Sequence, residues 1–214
     1  MTQKATVAAL LDRHGRTYAD ELGIDLAKGT PSPLFRWLCA SMLYSARISA
    51  DIATAAARAM ADAGWTTAEH LRDSTWGDRV RVIDRAGYAR YDERTSRMFG
   101  ELADVVLDRW GGDLRRLRDE ADRDPAQERR LLKELKGIGD VGVDIFFREA
   151  QVAWEELSPF ADRKALGAAG ALGLPEDADG LGRLADREAD GDLPRLVAAL
   201  VRCALAKDAD ELRR

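Results

Sequence analysis

LLKELKGIGDVGVDIFFREAQVAWEELSPFADRKAL, running from Leu131 to Leu166, is the stretch whose reading decides the fold. Leu131, Leu132 and Leu135 form the apolar face of an amphipathic helix. Gly137 and Gly139 flank Ile138, and two glycines so close together do not suit a helix interior. The apolar rhythm resumes through Val141, Val143, Ile145, Phe146 and Phe147. The pattern predicts a helix, a tight turn and a second helix, with Ile138 folded inward to pin the two together. Backbone N–H groups then point outward at the start of the second helix, where the dipole is positive. Such a turn makes an anion site from backbone alone, suited to one phosphate of a nucleic acid strand.

Leu135-Lys136-Gly137-Ile138-Gly139 resembles the hairpin of the helix-hairpin-helix DNA glycosylase superfamily, to which endonuclease III belongs. In that superfamily an acidic residue follows the hairpin at the start of a later helix. Ser158-Pro159-Phe160-Ala161-Asp162 supplies it here, ahead of a helical run from Arg163 to Leu172. The segment is similar to the family's Pro-Val-Asp-x-His, with one more residue between Pro and Asp and with Lys164 in place of the His. The resemblance implies an all-α, two-lobed fold with a central cleft. Residues 31–151 would form the lobe carrying the hairpin, and residues 1–30 with 152–214 the other. The cleft would hold a base extruded from duplex DNA.

By the same resemblance Gly137, Ile138 and Gly139 contact the DNA backbone. The carbonyls of Lys133, Leu135 and Ile138 would hold a monovalent cation, sodium or potassium. Asp162 is the implied catalytic group, because cleaving an N-glycosidic bond builds positive charge on the sugar and a nearby carboxylate stabilises it. The residues alone also allow Asp162 to be an N-cap for the helix from Arg163, with one oxygen capping and the other facing the cleft. Bifunctional members carry a Lys nucleophile two residues after the second hairpin glycine. Val141 stands there in this chain, so base release without strand cleavage is expected. Asp140 stands beside the expected phosphate, where its charge would repel the strand. Many relatives hold an iron–sulfur cluster on four cysteines, which this chain lacks.

Upstream, PLFRWLCASMLYSARISAD (Pro33 to Asp51) reads as a buried helix ending near Ser45 to Arg47. Leu43-Tyr44-Ser45-Ala46-Arg47 resembles the family's Leu-Leu-Ser-Ala-Gln, with Asp51 one position later than that pattern sets. The family's Gln fills the gap left by the extruded base, and Arg47 would take that role. A second reading of Arg47 is a cation complementing the helix C-terminus.

The remaining chain is read as helices separated by Gly and Pro. These run from Thr2 to His14, Arg16 to Leu22, Ile52 to Ala63, Thr75 to Ala86, a long helix to Trp110, and a last apolar one from Leu193 to Lys207. Thr66 is the expected cap of a short helix containing His70, with Glu69 completing a capping box. Gly87-Tyr88-Ala89-Arg90-Tyr91 is expected to open the long helix. Tyr88 and Tyr91 are candidates for packing against a base or for core. Arg115, Arg116 and Arg118 are offset by Asp113, Asp119 and Glu120 and read as a solvated face.

The 214 residues suffice for one large or two small units, and the Ala-, Leu-, Arg- and Glu-rich composition favours helix. No long apolar run and no basic-then-apolar leader is present, so a cytoplasmic, monomeric protein off the membrane is expected. Cys39 and Cys203 sit in apolar helical contexts and read as buried thiols. The net charge of −5 weighs against nucleic acid, though a local basic cleft can exist on an acidic protein. Two functional classes follow: a monofunctional base-excision DNA glycosylase acting on double-stranded DNA, or a non-catalytic DNA-binding protein on the same scaffold.

Overall fold

The computed structural model describes residues 2–89 and 92–213. Every regular element among them is helical, so the fold class is all-α. In chain order the helices are α1 (Gln3–His14), α2 (Tyr18–Glu21), α3 (Pro31–Tyr44), α4 (Ala50–Asp62), α5 (Ala68–Asp73), α6 (Trp76–Arg85) and α7 (Asp92–Trp110). They continue with α8 (Leu114–Glu120), α9 (Pro125–Glu134), α10 (Asp140–Ala150), α11 (Arg163–Ala171), α12 (Ala178–Glu188), α13 (Leu193–Ala206) and α14 (Ala209–Leu212). Short polar residues set many of the starts. Thr2, Thr17, Ser49, Thr75, Asp113, Asp124, Asp162, Asp177 and Asp192 each accept a hydrogen bond from a first-turn N–H.

The chain divides into two compact units, one of residues Ile24–Phe146 and one of Met1–Gly23 with Phe147–Arg214. In the first, the middle unit, α3 is the core element. Leu34, Phe35, Trp37, Leu38 and Leu43 are buried, and the Trp37 indole N–H donates to the Phe146 carbonyl at 3.0 Å. Helices α5 and α6 pack on α7. The buried Arg79 joins them, donating to the carbonyls of Ser96, Leu71 and Ser74. Its guanidinium passes Gly100 so closely that a Cβ there would lie 2.8 Å from Arg79 Nη2.

In the second, the end unit, α13 is buried from Leu196 to Val201, and α1, α11 and α12 pack around it. A helix apolar over so much of its circumference belongs at a core. The chain ends meet where Arg13 and His14 pair with Asp208 at 3.1 and 2.8 Å. Among the described residues no helix is long and apolar enough to cross a membrane.

Two local expectations are corrected. The short helix α5 is capped by Thr67, whose hydroxyl accepts the His70 N–H, and not by Thr66. Thr66 instead donates its N–H to the Gly64 carbonyl in the preceding turn, so Glu69 falls one position short of a capping box. Gly87 and Tyr88 close α6 rather than open α7: Gly87 has φ of +89°, and the Tyr88 N–H returns to the Ile83 carbonyl at 3.0 Å. Tyr91 and Arg90 lie outside the described residues.

Candidate functional site

The hairpin forms between α9 and α10. Asp124 caps α9 by accepting from Ala126 and Gln127, and Leu135 leaves the helix in extended conformation at φ −72° and ψ 128°. Gly137 then takes φ of +91° and the Ile138 N–H donates to the Leu135 carbonyl at 3.1 Å, closing the turn. Ile138 is buried as expected.

The two glycines differ in kind. A Cβ on Gly137 would lie 2.5 Å from Met42 Sδ, so both backbone conformation and packing demand glycine there. A Cβ on Gly139 would meet nothing within 4 Å, and its φ is not positive. Gly139 precedes α10 and accepts the Val143 N–H at 3.0 Å, leaving the first N–H groups of α10 without helical partners.

Asp140, at that helix start, is not a loose negative charge. Lys133 Nζ lies 2.7 Å from its carboxylate and Arg129 lies 3.8 Å away. The Lys133 hydrogen bond, followed by the charges of Lys133 and Arg129, holds the Asp140 carboxyl below its ordinary range. Arg129 also pairs with Asp144 at 2.6 Å, stitching α9 to α10. Val141 is 60% exposed beside the turn.

Arg47 lies just past the end of α3, on the rim of an open hollow of about 280 Å³. Met42, Met98 and Tyr88 line it together with Ser45, Thr95 and the backbone of Gly137, and Arg94 joins Arg47 at its edge. The middle unit thus brings Arg47 and Gly137 of the hairpin to one place. Sequence reading missed Met42, Met98 and Thr95, since apolar and small residues on core helices carry no signal of a hollow. Tyr88 is buried, yet one side of it borders this space.

In the end unit, Asp162 is 9% exposed and both its oxygens are engaged. Oδ1 accepts the Ala165 N–H at 2.9 Å, as an N-cap should. Oδ2, expected to face a cleft, is taken by the buried guanidinium of Arg148. Gln151 fixes the approach to Asp162: its Nε2 donates to the carbonyls of Arg148 and Phe160, and its Oε1 accepts the Phe160 N–H. Lys164 is exposed on the first turn of α11. Arg148 was missed, though a cation set within Phe146-Phe147-Arg148-Glu149-Ala150 is the available signal, because a charge in an apolar helix needs a partner.

Glu149, next in the chain, is 2% exposed and accepts the N–H groups of Tyr18 and Ala19 at 2.9 and 2.8 Å. Burial pushes its carboxyl up to about 7 against the opposing pull of those two N–H groups. Cys39 and Cys203 are buried free thiols, and burial raises both. No group of His, Cys, Asp and Glu among the described residues is arranged to hold a metal ion.

No protein-family model and no curated protein matches this sequence. Among solved structures the chain is similar to a trapped endonuclease III–DNA covalent intermediate, an estranged-adenine complex, at 13% sequence identity and a TM-score of 0.48. That similarity covers 78% of this chain and 71% of the other.

Proposed function

We propose that this protein binds duplex DNA through the Gly137–Gly139 turn and acts as a monofunctional DNA glycosylase, hydrolysing the N-glycosidic bond of a damaged base. The observation that carries the DNA contact is the difference between the two glycines. Folding demands Gly137, whereas Gly139 stands where any residue would fit, and its bare backbone leaves room for a ligand beside the α10 N-terminus. The Lys133 and Arg129 contacts reduce the repulsion that Asp140 would otherwise exert on a phosphate. The carbonyls of Lys133, Leu135 and Ile138 would hold a sodium or potassium ion, since neutral backbone oxygens suit a monovalent cation.

In the reaction, water adds to the sugar carbon as its bond to the base breaks, and the base leaves with the bonding electrons. Asp162 stabilises the positive charge on the sugar and takes the proton from the water. Val141 offers no amine, so no covalent enzyme–DNA intermediate forms. The engagement of both Asp162 oxygens favours a second reading, in which Asp162 only ties α10 to α11 and the protein binds DNA without cleaving it.

The deciding assay offers duplexes that each carry one damaged base and measures base release, strand cleavage and borohydride-trapped adduct. Release without cleavage or adduct is expected. Asp162→Asn keeps the cap but strands a buried Arg148 charge, at a cost of about 3–5 kcal/mol. Thermal melting therefore establishes that the variant is folded, and in the folded variant release should fall by orders of magnitude. Release unchanged by the Asn substitution removes Asp162 from the chemistry, and no release from any duplex leaves the binding-only reading.

A further inference from the structure

We propose that Met98 is a peroxide-sensitive oxidation site, and that its conversion to the sulfoxide loosens the Gly137 turn and weakens duplex binding. The effect on DNA rests on the hairpin being the contact. Packing at the turn is the first argument. The β-carbon that Gly137 lacks would lie 2.5 Å from Met42 Sδ and 3.2 Å from Met98 Sδ. Two thioethers, one from α3 and one from α7, therefore fill the room of the missing side chain. Gly137 holds φ of +91° against them, and the Ile138 N–H closes the turn on the Leu135 carbonyl. Thioether sulfur suits this place, being soft, polarisable and free of any polar group that needs a partner. A sulfoxide is the reverse, because it is bulkier and its oxygen demands a hydrogen-bond donor.

Access is the second argument. Met42 and Met60 are both 3% exposed, whereas Met98 is half-buried and lines the hollow. About 280 Å³ of space readily admits hydrogen peroxide, which is little larger than water. The cysteines do not compete. Cys39 and Cys203 are buried, and burial raises both thiols, so neither presents the thiolate on which peroxide acts. In the reaction a sulfur lone pair of Met98 attacks one peroxide oxygen. The S–O bond forms as the O–O bond breaks, and the departing hydroxide takes the proton of the transferred oxygen and leaves as water. Sulfur loses two electrons and the peroxide gains them. The new oxygen lies in a wall shared with Met42, Tyr88 and the Gly137 backbone. Hydrating it draws the Met98 side chain off Gly137, and the turn loses one of the two sulfur contacts on that face. Only molecules with an intact turn then hold a phosphate, which lowers the apparent affinity.

The test treats the full chain with hydrogen peroxide, removes the excess with catalase and maps oxidised peptides by mass. Duplex affinity is then followed by fluorescence anisotropy, and folding by thermal melting. Met98 should gain an oxygen well before Met42 or Met60. The oxidised parent should bind duplex about tenfold more weakly, the scale of one polar group left in apolar packing. Met98→Leu keeps the packing but has no sulfur, so the same treatment should leave its affinity unchanged. Met98→Gln, polar and of similar length, should reproduce the loss without peroxide, and it takes the place of the oxidised parent if that protein does not stay folded. Oxidation of Met60 as fast as Met98 overturns the inference and leaves the hairpin reading standing. So does full affinity in protein whose Met98 is oxidised, or an equal loss in treated Met98→Leu. Failure of the untreated parent to bind any duplex overturns the hairpin reading and this inference with it.

Discussion

Gly137 and Gly139 look equivalent in the sequence, but each answers to a different constraint. Gly137→Ala forces a β-carbon against Met42 Sδ at φ +91° and should lower stability by about 1–3 kcal/mol, read from the denaturant midpoint. Gly139→Ala should leave the midpoint near the parent's, because its β-carbon meets open space. Gly139→Asp should also fold, yet weaken duplex binding across all sequences alike by placing a carboxylate at the proposed phosphate contact. A folded Asp variant that binds as the parent does would make the turn purely structural. Asp162 shows the opposite pattern. Its capping oxygen was expected, but its second oxygen meets a buried arginine that turns a simple Asn substitution into a stability problem.

Among the elements, α10 carries the most polar burden. Its first turn presents Asp140 to Lys133, and its last turn presents Arg148 to Asp162 and Glu149 to the start of α2. Glu149 gives the protein a pH signature. Its folded carboxyl titrates at about 7 against an ordinary value of 4.5, so the folded state holds the proton more tightly than the unfolded state. Stability from this group is complete below pH 4.5 and is lost as pH rises toward 7, on the order of 3 kcal/mol in total. Thermal midpoints of the parent should fall from pH 5 to pH 8 by more than those of Glu149→Gln, which does not titrate. Parallel curves for the two proteins would show that Glu149 is ionised throughout.

At the scale of the whole molecule, the net charge of −5 goes with a weak salt response of the proposed DNA binding. Among the described residues the proposed phosphate contacts are the hairpin backbone and Arg47, so few counterions should be released. A log–log plot of affinity against salt should have a slope of roughly −2 to −3, far shallower than for a basic DNA-binding protein. Asp140→Asn should barely change that slope, because Lys133 and Arg129 already balance the carboxylate. A steep slope would point to a basic surface elsewhere on the protein.

What the sequence alone determined is local. The all-α class follows from composition and periodicity, and the cap at Asp162 follows from a short side chain whose oxygen can accept a first-turn N–H. The turn at Gly137–Gly139 and the inward Ile138 belong here too, because a tight reversal between two apolar faces admits few residues. Long-range pairing was not legible. Nothing in the chain said that Arg148 would claim Asp162, that Lys133 would shield Asp140, or that Glu149 would hold the N-terminal segment 131 residues away at Tyr18. The hollow was equally silent, since Met42, Tyr88, Met98 and Gly137 come from separate elements and each passes for core. Helix and turn are decided by backbone sterics and nearest neighbours, which the sequence states directly. Charge pairing and cavities depend on which faces meet in space, and only the tertiary structure decides that.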